Sequence, residues 1–323
     1  MKRIGVFTSG GDSPGMNAAV RAVVRAAIYH NIEVFGIYRA YDGMISGDIR
    51  PLQSHDVSGI IQRGGTILKS ARSSAFRTEE GRKKAYENLK ANGIEGLVAI
   101  GGDGTFTGAK IFEAEYGIPS IGVPGTIDND LFGTDNTIGY DTALNTVVEA
   151  VDKIRDTASS HDRLFFVEVM GRDAGFIALR SGISVGAEAI LVPETPTYID
   201  ALIQKLEKGR DQHKSSAIIM VAEGDDAGNA AEVAKKVKEK FDYYDTKVTV
   251  LGHIQRGGSP SAADRVLASR LGVAAVEALL AGKTNQMVGV VNNQIAHTPY
   301  EKAIKHHNKL NENLLRLAEI LSS

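Results

Sequence analysis

The feature that most constrains the fold is a unit of apolar strand, glycine-rich turn and helix that recurs along the chain. Its first copy covers residues 4–29 and contains the turn SGGDSPG at residues 9–15. A second copy covers residues 97–115 and contains the turn GGDGT at residues 101–105. Because strands that alternate with helices pair in parallel, this pattern predicts an α/β protein with mainly parallel sheets.

The same alternation predicts elements over the rest of the chain. Strands are expected at residues 4–8, 33–38, 97–100, 120–123, 164–169, 189–192, 217–222, 246–251 and 287–291. Helices are expected at residues 16–29, 78–92, 142–158, 199–210, 230–241, 262–280 and 302–321, with others after the GGDGT turn and after residue 175. The polar region 42–82 is too long to be a plain connection.

Composition narrows the classes of partner. The 323 residues include 37 Lys and Arg against 39 Asp and Glu, so the formal charge of −2 gives no field for nucleic acid or an acidic membrane. The absence of cysteine excludes disulfides and thiolate metal sites. No apolar run approaches the roughly 20 residues that span a bilayer, and no signal-peptide pattern follows Met1. We expect a soluble cytoplasmic protein that binds small molecules.

The stretch VPGTIDND at residues 123–130 follows a short apolar strand. It places Asp128 and Asp130 at the carboxyl end of that strand, where ligands bind in parallel α/β folds. Gly125 allows close approach to the backbone, and Thr126 can orient a bound hydroxyl. The pattern therefore suits an acid or base beside a reacting oxygen, although a solvated Asx-turn loop has the same composition.

The two glycine turns favour an anion such as phosphate, because each opens a helix. The first turn matches neither the Walker pattern nor the dinucleotide fingerprint. Asp103 inside the second turn would repel a bare phosphate unless Mg²⁺ bridged the two, since hard cations take carboxylate and phosphate oxygens together. A glycine turn without a ligand, and an aspartate that only caps the next helix, are the alternatives.

Cationic groups follow in the second half of the chain. Arg163, Arg172, His253 and Arg256 lie in or beside loops that we expect to gather at one end of a sheet. The planar guanidinium suits phosphate, although each group alone is also compatible with a solvated surface. Glycine loops with acids on one side and cations on the other indicate a site for phosphoryl transfer, without naming the acceptor.

The motifs SGGDSPGMNAA, GGDGT, PGTIDND, MGRDAG, VAEG and GHIQRGGSP occur in this order over nearly the full length. Together they resemble the bacterial 6-phosphofructokinase family. The resemblance implies a homotetramer of subunits with two doubly wound, Rossmann-like, three-layer domains that face a cleft. It also implies transfer of the ATP γ-phosphoryl group to O1 of fructose 6-phosphate, giving ADP and fructose 1,6-bisphosphate. The nucleotide domain would comprise residues 1–138 and 255–304, and the sugar-phosphate domain residues 139–254 and 305–323.

The resemblance also assigns residues to roles. Asp128 would be the base, with Thr126 and Asp130 beside it, while Arg72 and Arg172 would offset charge on the moving group. The implied ATP site comprises Gly11, Tyr41, Arg72, Ser73, Gly102, Asp103, Gly104 and Thr105, and Asp103 would serve Mg²⁺. The implied sugar-phosphate site comprises Thr126, Ile127, Asp128, Arg163, Met170, Gly171, Arg172, Glu223, Lys247, His253, Ile254, Gln255 and Arg256. In the family, Arg163 and one further cation come from a neighbouring subunit.

A second phosphate site, at which ADP activates and phosphoenolpyruvate inhibits, is also implied by the resemblance. The matching residues are Arg21, Arg25, Arg155, Gly186, Ala187, Glu188 and Lys214. Gln212 replaces an arginine of relatives, and Ser215 and Ser216 stand in a segment that is elsewhere basic. Because lost cations weaken a polyanion site, we expect weak responses to both effectors.

Two other functions remain open from the sequence. A pyrophosphate-dependent relative usually carries an acid and a lysine where this chain has Gly104 and Gly125. A sensor that binds both ligands without transfer would not need Asp103 and Asp128 together. At the acceptor site, Lys247 stands where relatives carry arginine, which keeps the charge and loses the bidentate fork.

Overall fold

The chain folds into two compact units in a computed structural model that describes residues 1–158, 160, 163–305 and 308–322. Unit 1 comprises Met1–Ile127, Leu131–Thr142 and Arg256–Asn308. Unit 2 comprises Asp128–Asp130, Ala143–Gln255 and Lys309–Ser323. The domain bounds that the resemblance implies, at residues 138, 254 and 304, stay a prediction. The ligand of each unit stays a prediction.

Unit 1 is built on a seven-stranded sheet with the order β11-β10-β5-β4-β1-β2-β3. The inner pairs are parallel, and β3 and β11 at the edges are antiparallel to their neighbours. The strands are β1 Arg3–Thr8, β2 Glu33–Ile37, β3 Ile49–Leu52, β4 Gly96–Gly101, β5 Ser120–Pro124, β10 Gln286–Val291 and β11 Gln294–Pro299.

Helices cover both faces of this sheet. They are α1 Met16–Tyr29, α2 Ala40–Ser46, α3 Glu79–Ala91, α4 Asp103–Tyr116, α9 Ala262–Leu280 and α10 Tyr300–Lys305, with a 3₁₀ turn at Ala75–Arg77. Side chains of α1 and α9 form one buried cluster with Ile4, Val98 and Ile100 of the sheet. Side chains of α2, α3, α4 and α10 form another with Phe7 and Leu97. Successive residues of β4 thus point to opposite cores, as period-two alternation requires.

Unit 2 contains a fully parallel sheet with the order β7-β8-β6-β9. The strands are β6 Arg163–Val169, β7 Ala189–Leu191, β8 Ala217–Ala222 and β9 Asp245–Val250. The helices are α6 Phe176–Ser184, α7 Ile199–Asp211, α8 Ala230–Lys238 and α11 Glu312–Leu321, while α5 Tyr140–Ala158 starts in unit 1 and continues into unit 2. A 3₁₀ segment, Gly252–Arg256, follows β9. The α/β class with mainly parallel sheets is therefore confirmed for both units.

Three parts of the fold differ from the sequence prediction. The polar region after β2 contains α2 and β3. Strand β11 was not predicted and forms a hairpin with β10 through Asn292 and Asn293, which both have positive φ. The single final helix over residues 302–321 is wrong, because α10 and α11 are separate. The Asn308 side chain donates to Leu131 O at 2.9 Å, and Asn311 caps the start of α11, so both residues act outside a helix.

Within the described residues, no helix is both long enough and apolar enough to cross a bilayer.

The start of α8 provides a test of local stability in unit 2. Asn229 accepts a hydrogen bond from Glu232 N at 3.0 Å, and the Glu232 carboxylate accepts one from Asn229 N at 2.9 Å. Asn229→Ala removes one half of this capping box, and we expect it to lower the free energy of unfolding by about 1 kcal/mol in urea titration. Asn229→Asp retains the acceptor and serves as the control. Equal stability of the Ala and Asp variants would show that the cap contributes nothing.

Candidate active site

Three loops of unit 1 meet because their strands are neighbours. In the order β5-β4-β1, all three strands are parallel, so the segments that follow Thr8, Gly101 and Pro124 leave the same edge of the sheet. Backbone bonds tie them together: Ser9 N donates to Ile100 O at 2.9 Å, and Gly125 N donates to Gly101 O at 3.0 Å. The two glycine turns and the start of the PGTID segment (residues 124–128) therefore form one continuous edge.

Glycine is required where these loops touch. A Cβ on Gly101 would lie 2.6 Å from Ser9 O and 2.3 Å from the Thr105 hydroxyl, so a side chain there would separate the turns. Gly15 has φ 104° at the N-cap of α1, a conformation that other residues adopt only with strain. The amide ends of α1 and α4 both open at this edge, where each favours an anion.

Asp103 is the first residue of α4 and is partly exposed. Among the described residues, no group of three or more His, Cys, Asp or Glu side chains could hold a metal ion by itself. Mg²⁺ commonly takes one or two protein carboxylates and completes its shell with phosphate oxygens and water. Asp103 at this edge therefore fits a magnesium ion that arrives with a phosphate ligand.

Tyr41 supports the GGDGT turn from the buried side. Its ring stacks on Phe76 with centroids 3.9 Å apart, and its hydroxyl donates to Thr105 O at 2.5 Å. Burial raises the pKa of this phenol well above its usual value, with a further contribution from Tyr300. Tyr41 is only 6% exposed, and its place in the implied ATP site stays a prediction. Its hydrogen bond to Thr105 O supports the turn directly.

Arg72 and Ser73 lie in the segment between β3 and the 3₁₀ turn at Ala75–Arg77. Arg72 is exposed, which leaves its guanidinium accessible to a ligand. The Ser73 hydroxyl accepts a hydrogen bond from Phe76 N at 3.2 Å and so helps to shape this segment.

The PGTID segment is buried and braced. Thr126, Ile127 and Asp128 are at most 9% exposed, and Asn129 has φ 55°. The Thr137 hydroxyl donates to Thr126 O at 2.6 Å. Residues 128–130, including the partly exposed Asp130, are counted with unit 2. Sequence patterns gave no indication of the Thr137 contact, because it joins positions eleven residues apart through a side chain.

Three loops of unit 2 meet in the same way. Strand β6 lies between β8 and β9, so the segments after Val169, Ala222 and Val250 leave one edge together. Glu223 N donates to Val169 O at 3.0 Å, and Leu251 N donates to Glu168 O at 3.1 Å. This edge brings together the predicted sugar-phosphate residues Met170, Gly171, Arg172, Glu223, His253, Ile254 and Gln255.

The loop that carries Arg172 is held from two sides. The Glu223 carboxylate accepts hydrogen bonds from Gly171 N at 3.2 Å and from Arg172 N at 2.7 Å. Gln255 is fully buried, accepts from Met170 N at 3.3 Å and donates to Gly252 O at 3.0 Å. Arg172 has φ 55°, an unfavourable backbone conformation. The charge-assisted bond from its amide to Glu223 stabilises this conformation. Glu223 and Gln255 thus position the exposed Arg172.

The expectation that four cations gather at one sheet end is wrong for Arg163. Arg163 is the first residue of β6, and the seven residues of this strand separate it by roughly 20 Å from the Arg172 edge. Arg256 belongs to unit 1, where it donates to Asp12 O at 3.2 Å and covers Gly11. Arg172 and His253 follow β6 and β9 at the same edge of the unit 2 sheet, and both are exposed.

Arg163 and Lys247 converge instead on Asp245 near the amino end of the sheet. Lys247 Nζ lies 2.9 Å from one carboxylate oxygen of Asp245, and Arg163 Nε lies 3.4 Å from the other. These bonds, that of Lys247 first, hold the pKa of Asp245 below its usual value. Strand β9 forms an edge of the sheet, and all three groups are partly or largely exposed.

The predicted effector residues of unit 2 also lie together. The Arg155 guanidinium donates to Val185 O and Gly186 O, and Lys214 Nζ donates to Glu188 at 2.8 Å. Gly186 has φ 58°, and Ala187 is buried beside it. Arg21 and Arg25 lie on α1 of unit 1. Lys214 and Glu188 form an ion pair in this cluster.

The hold of Glu223 on Arg172 can be measured directly. In Glu223→Gln the acceptor loses its charge, so we expect the Arg172 amide to exchange with deuterium roughly fivefold faster, by NMR or mass spectrometry. Glu194→Gln is the matched control, because Glu194 accepts from Gly175 N at 2.8 Å in the same loop. That control should change exchange at Gly175 alone. Unaltered exchange at Arg172 in Glu223→Gln would contradict the assignment.

Comparison with known proteins gives one consistent result. The phosphofructokinase family model matches residues 3–279. The chain is 58% identical over 322 residues to the ATP-dependent 6-phosphofructokinase of Cytophaga hutchinsonii, covering 100% of this chain and 98% of that protein. It is 59% identical over 322 residues to the ATP-dependent 6-phosphofructokinase 1 of Thermus thermophilus, covering 100% of both chains.

Solved structures agree with this result. A phosphofructokinase from Saccharomyces cerevisiae superposes with a TM-score of 0.90 at 39% identity over 100% of this chain. This chain spans 47% of that longer protein. A pyrophosphate-dependent phosphofructokinase from Marinobacter aquaeolei superposes with a TM-score of 0.84 at 26% identity, over 97% of this chain and 86% of the other. From its sequence motifs, its fold and these similarities, the chain belongs to the phosphofructokinase family.

Proposed function

We propose that this protein transfers the γ-phosphoryl group of ATP to O1 of fructose 6-phosphate, giving ADP and fructose 1,6-bisphosphate. The observation that carries the proposal is the edge of unit 1, where two glycine turns at helix N-termini join the segment that leads to Asp128. The full-length similarity to proteins named ATP-dependent 6-phosphofructokinase supports the choice of donor and acceptor.

The donor would lie along the glycine turns of unit 1. Amides of the Gly11 turn and of the segment from Gly102 to Thr105 would bind phosphate oxygens, and the exposed Arg72 would offset negative charge. Asp103 would hold Mg²⁺, which neutralises phosphate oxygens when it is bound. A Cβ on Gly104 would meet nothing within 4 Å, so the turn borders open space that suits a nucleotide.

Asp128 would take the proton of the attacking hydroxyl. It is 3% exposed, on a segment whose backbone is fixed by Thr137 and by the bond from Gly125 to Gly101. A buried carboxylate on a fixed segment can hold one position relative to a reacting oxygen, which general base catalysis requires. Thr126 and Asp130 flank it along the chain and would orient the sugar.

The acceptor would bind at the edge of unit 2 that carries Arg172. His253 and Arg172 are exposed there, and Glu223 fixes the loop that carries Arg172. Arg163 lies at the other end of the same sheet, too far to share one phosphate with Arg172 within a chain, and Lys247 shares Asp245 with it. We therefore assign these two cations to the site of a neighbouring copy in a homotetramer.

A second phosphate site would use Arg155, Gly186, Glu188 and Lys214 of unit 2, with Arg21 and Arg25. ADP and phosphoenolpyruvate would compete there with the bond between Lys214 and Glu188. Because Gln212 at the end of α7 carries no charge, both effectors would act weakly.

Pyrophosphate as the donor is the main alternative. The solved pyrophosphate-dependent relative is 26% identical to this chain, against 58% and 59% for the two ATP-dependent relatives described above.

The base assignment predicts the effect of one substitution. Asp128→Asn keeps the shape of the side chain and cannot accept the proton, so we expect kcat to fall by about 10²- to 10⁴-fold with both KM values little changed. The measurement is fructose 1,6-bisphosphate formation in an aldolase-coupled assay with ATP and Mg²⁺. Asp135→Asn is the control, because Asp135 accepts from Asn292 N at 2.8 Å away from the proposed chemistry. A kcat within a few-fold of the parent would place the base elsewhere.

The role of Lys247 predicts a change in acceptor affinity. Lys247→Arg restores the bidentate fork, so we expect the KM for fructose 6-phosphate to fall by about fivefold, corresponding to about 1 kcal/mol, with kcat unchanged. Lys247→Met removes the charge and should raise the same KM. If neither variant alters it, Lys247 does not reach the phosphate.

A further inference from the structure

The segment of residues 137–142, which we call the brace, links the PGTID segment to the start of α5. The Thr137 hydroxyl donates to Thr126 O at 2.6 Å, and Ile138 N donates to Pro124 O at 2.9 Å. Ile138 also forms an isolated parallel bridge with Gly125. These contacts lie within unit 1 and fix the backbone immediately before Asp128.

The same brace packs against the first glycine turn. A Cβ on Gly15 would lie 2.7 Å from the Ile138 side chain and 3.6 Å from Asp264 Cβ. A Cβ on Gly139, where φ is 103°, would lie 2.6 Å from Ser13 Cβ. The position of the brace therefore determines both the turn before α1 and the segment before Asp128.

The carboxylate of Asp264 holds the brace. One oxygen accepts from Gly139 N at 2.8 Å, and the other accepts from Thr142 N at 2.8 Å and from the Thr142 hydroxyl at 2.5 Å. Asp264 is 1% exposed, and burial raises its pKa against the effect of these bonds. The two amides flank the first turn of α5, where the helix dipole also favours a negative charge.

A second set of bonds runs in the opposite direction, from the start of α9 to the start of α5. Ser261, the N-cap of α9, donates through its hydroxyl to Asp141 at 2.6 Å and through its amide to the Thr142 hydroxyl at 2.9 Å. Its hydroxyl also accepts from Asp264 N at 3.2 Å. Rotation of the Asp264 side chain would break its three bonds to Gly139 and Thr142 at the start of α5, so the carboxylate has one defined position.

Stability alone is a poor reason for a buried carboxylate at this position. Thr78 and Asn229 cap α3 and α8 with neutral groups, which avoid the cost of removing a charge from water. A carboxylate accepts several bonds at once with two oxygens in fixed directions, whereas a neutral amide offers one acceptor and turns a donor toward the other amides. The group at Asp264 is therefore suited to fixing geometry.

We propose that Asp264 is a positioning residue for phosphoryl transfer, because its carboxylate sets the brace that fixes both the first glycine turn and the PGTID segment. This inference rests on the proposed function for its kinetic consequence. Its structural consequence concerns unit 1 alone and can be measured without turnover.

The test is Asp264→Asn with two readouts. Since displacement of reacting groups by about 1 Å can cost about 10²-fold, we expect kcat to fall by roughly 10- to 100-fold. The KM for fructose 6-phosphate should change less than kcat, because the proposed acceptor loops that carry Arg172 and His253 belong to unit 2. In hydrogen exchange, the amides of Ile138 and Gly125 should lose protection.

The stability-matched control is Thr78→Ala, which removes the neutral cap of α3 at the Gly81 amide. It should lower the unfolding temperature while kcat and the exchange of Ile138 and Gly125 stay at parent values. Thr142→Val is the milder second variant if Asp264→Asn does not fold, since it removes one of the three bonds to Asp264 and should give a smaller change in the same direction.

The outcomes separate the two proposals. Parent-like kcat in a folded Asp264→Asn, or in Thr142→Val if that variant must be used, would overturn the positioning role, as would parent-like exchange at Ile138 and Gly125. If the parent protein forms no ADP with fructose 6-phosphate, the proposed function fails. The exchange readout still decides whether Asp264 sets the brace: unchanged protection overturns that role, and lost protection at both amides supports it.

Discussion

The parallel pairing of β1, β4 and β5 is the constraint on which the rest of the site depends. Each strand ends at the same edge, so turns that are far apart in sequence become neighbours through bonds such as Gly125 N to Gly101 O. Those turns leave no room for side chains where they touch, which explains the glycine at Gly101. The sheet thus supplies the position, and the helix N-termini of α1 and α4 supply the positive field for an anion.

In both units, buried or half-buried polar side chains from another segment form hydrogen bonds to the backbone of the proposed site. In unit 2, Glu223 and Gln255 hold the loop of Arg172, which keeps the arginine exposed in a strained conformation. In unit 1, Tyr41 and Thr137 bond to the carbonyls of Thr105 and Thr126. The groups that we propose to face ligands can then stay exposed and charged, because other residues provide their rigidity.

The sequence predicted what depends on short-range patterns. Strand β8 and helix α9 have the predicted bounds, and the glycine turns lie at strand ends, because hydrophobic periodicity and turn residues act locally. Long-range contacts were not predictable: the roles of Thr137 and Asp264 depend on partners from other elements. Arg163 was misplaced because the prediction did not consider which end of β6 it occupies. The final helix was predicted as one because periodicity continues across the connection.

The central claim is that the edge formed by β1, β4 and β5 binds a nucleotide as the phosphoryl donor. Donor selectivity tests it most directly: fructose 1,6-bisphosphate formation is measured with Mg²⁺ and fructose 6-phosphate, and with either ATP or pyrophosphate at equal concentration. We expect turnover with ATP and none with pyrophosphate, since the chain is 58% and 59% identical to the two ATP-dependent relatives and 26% identical to the pyrophosphate-dependent one. Turnover with pyrophosphate and none with ATP would contradict it.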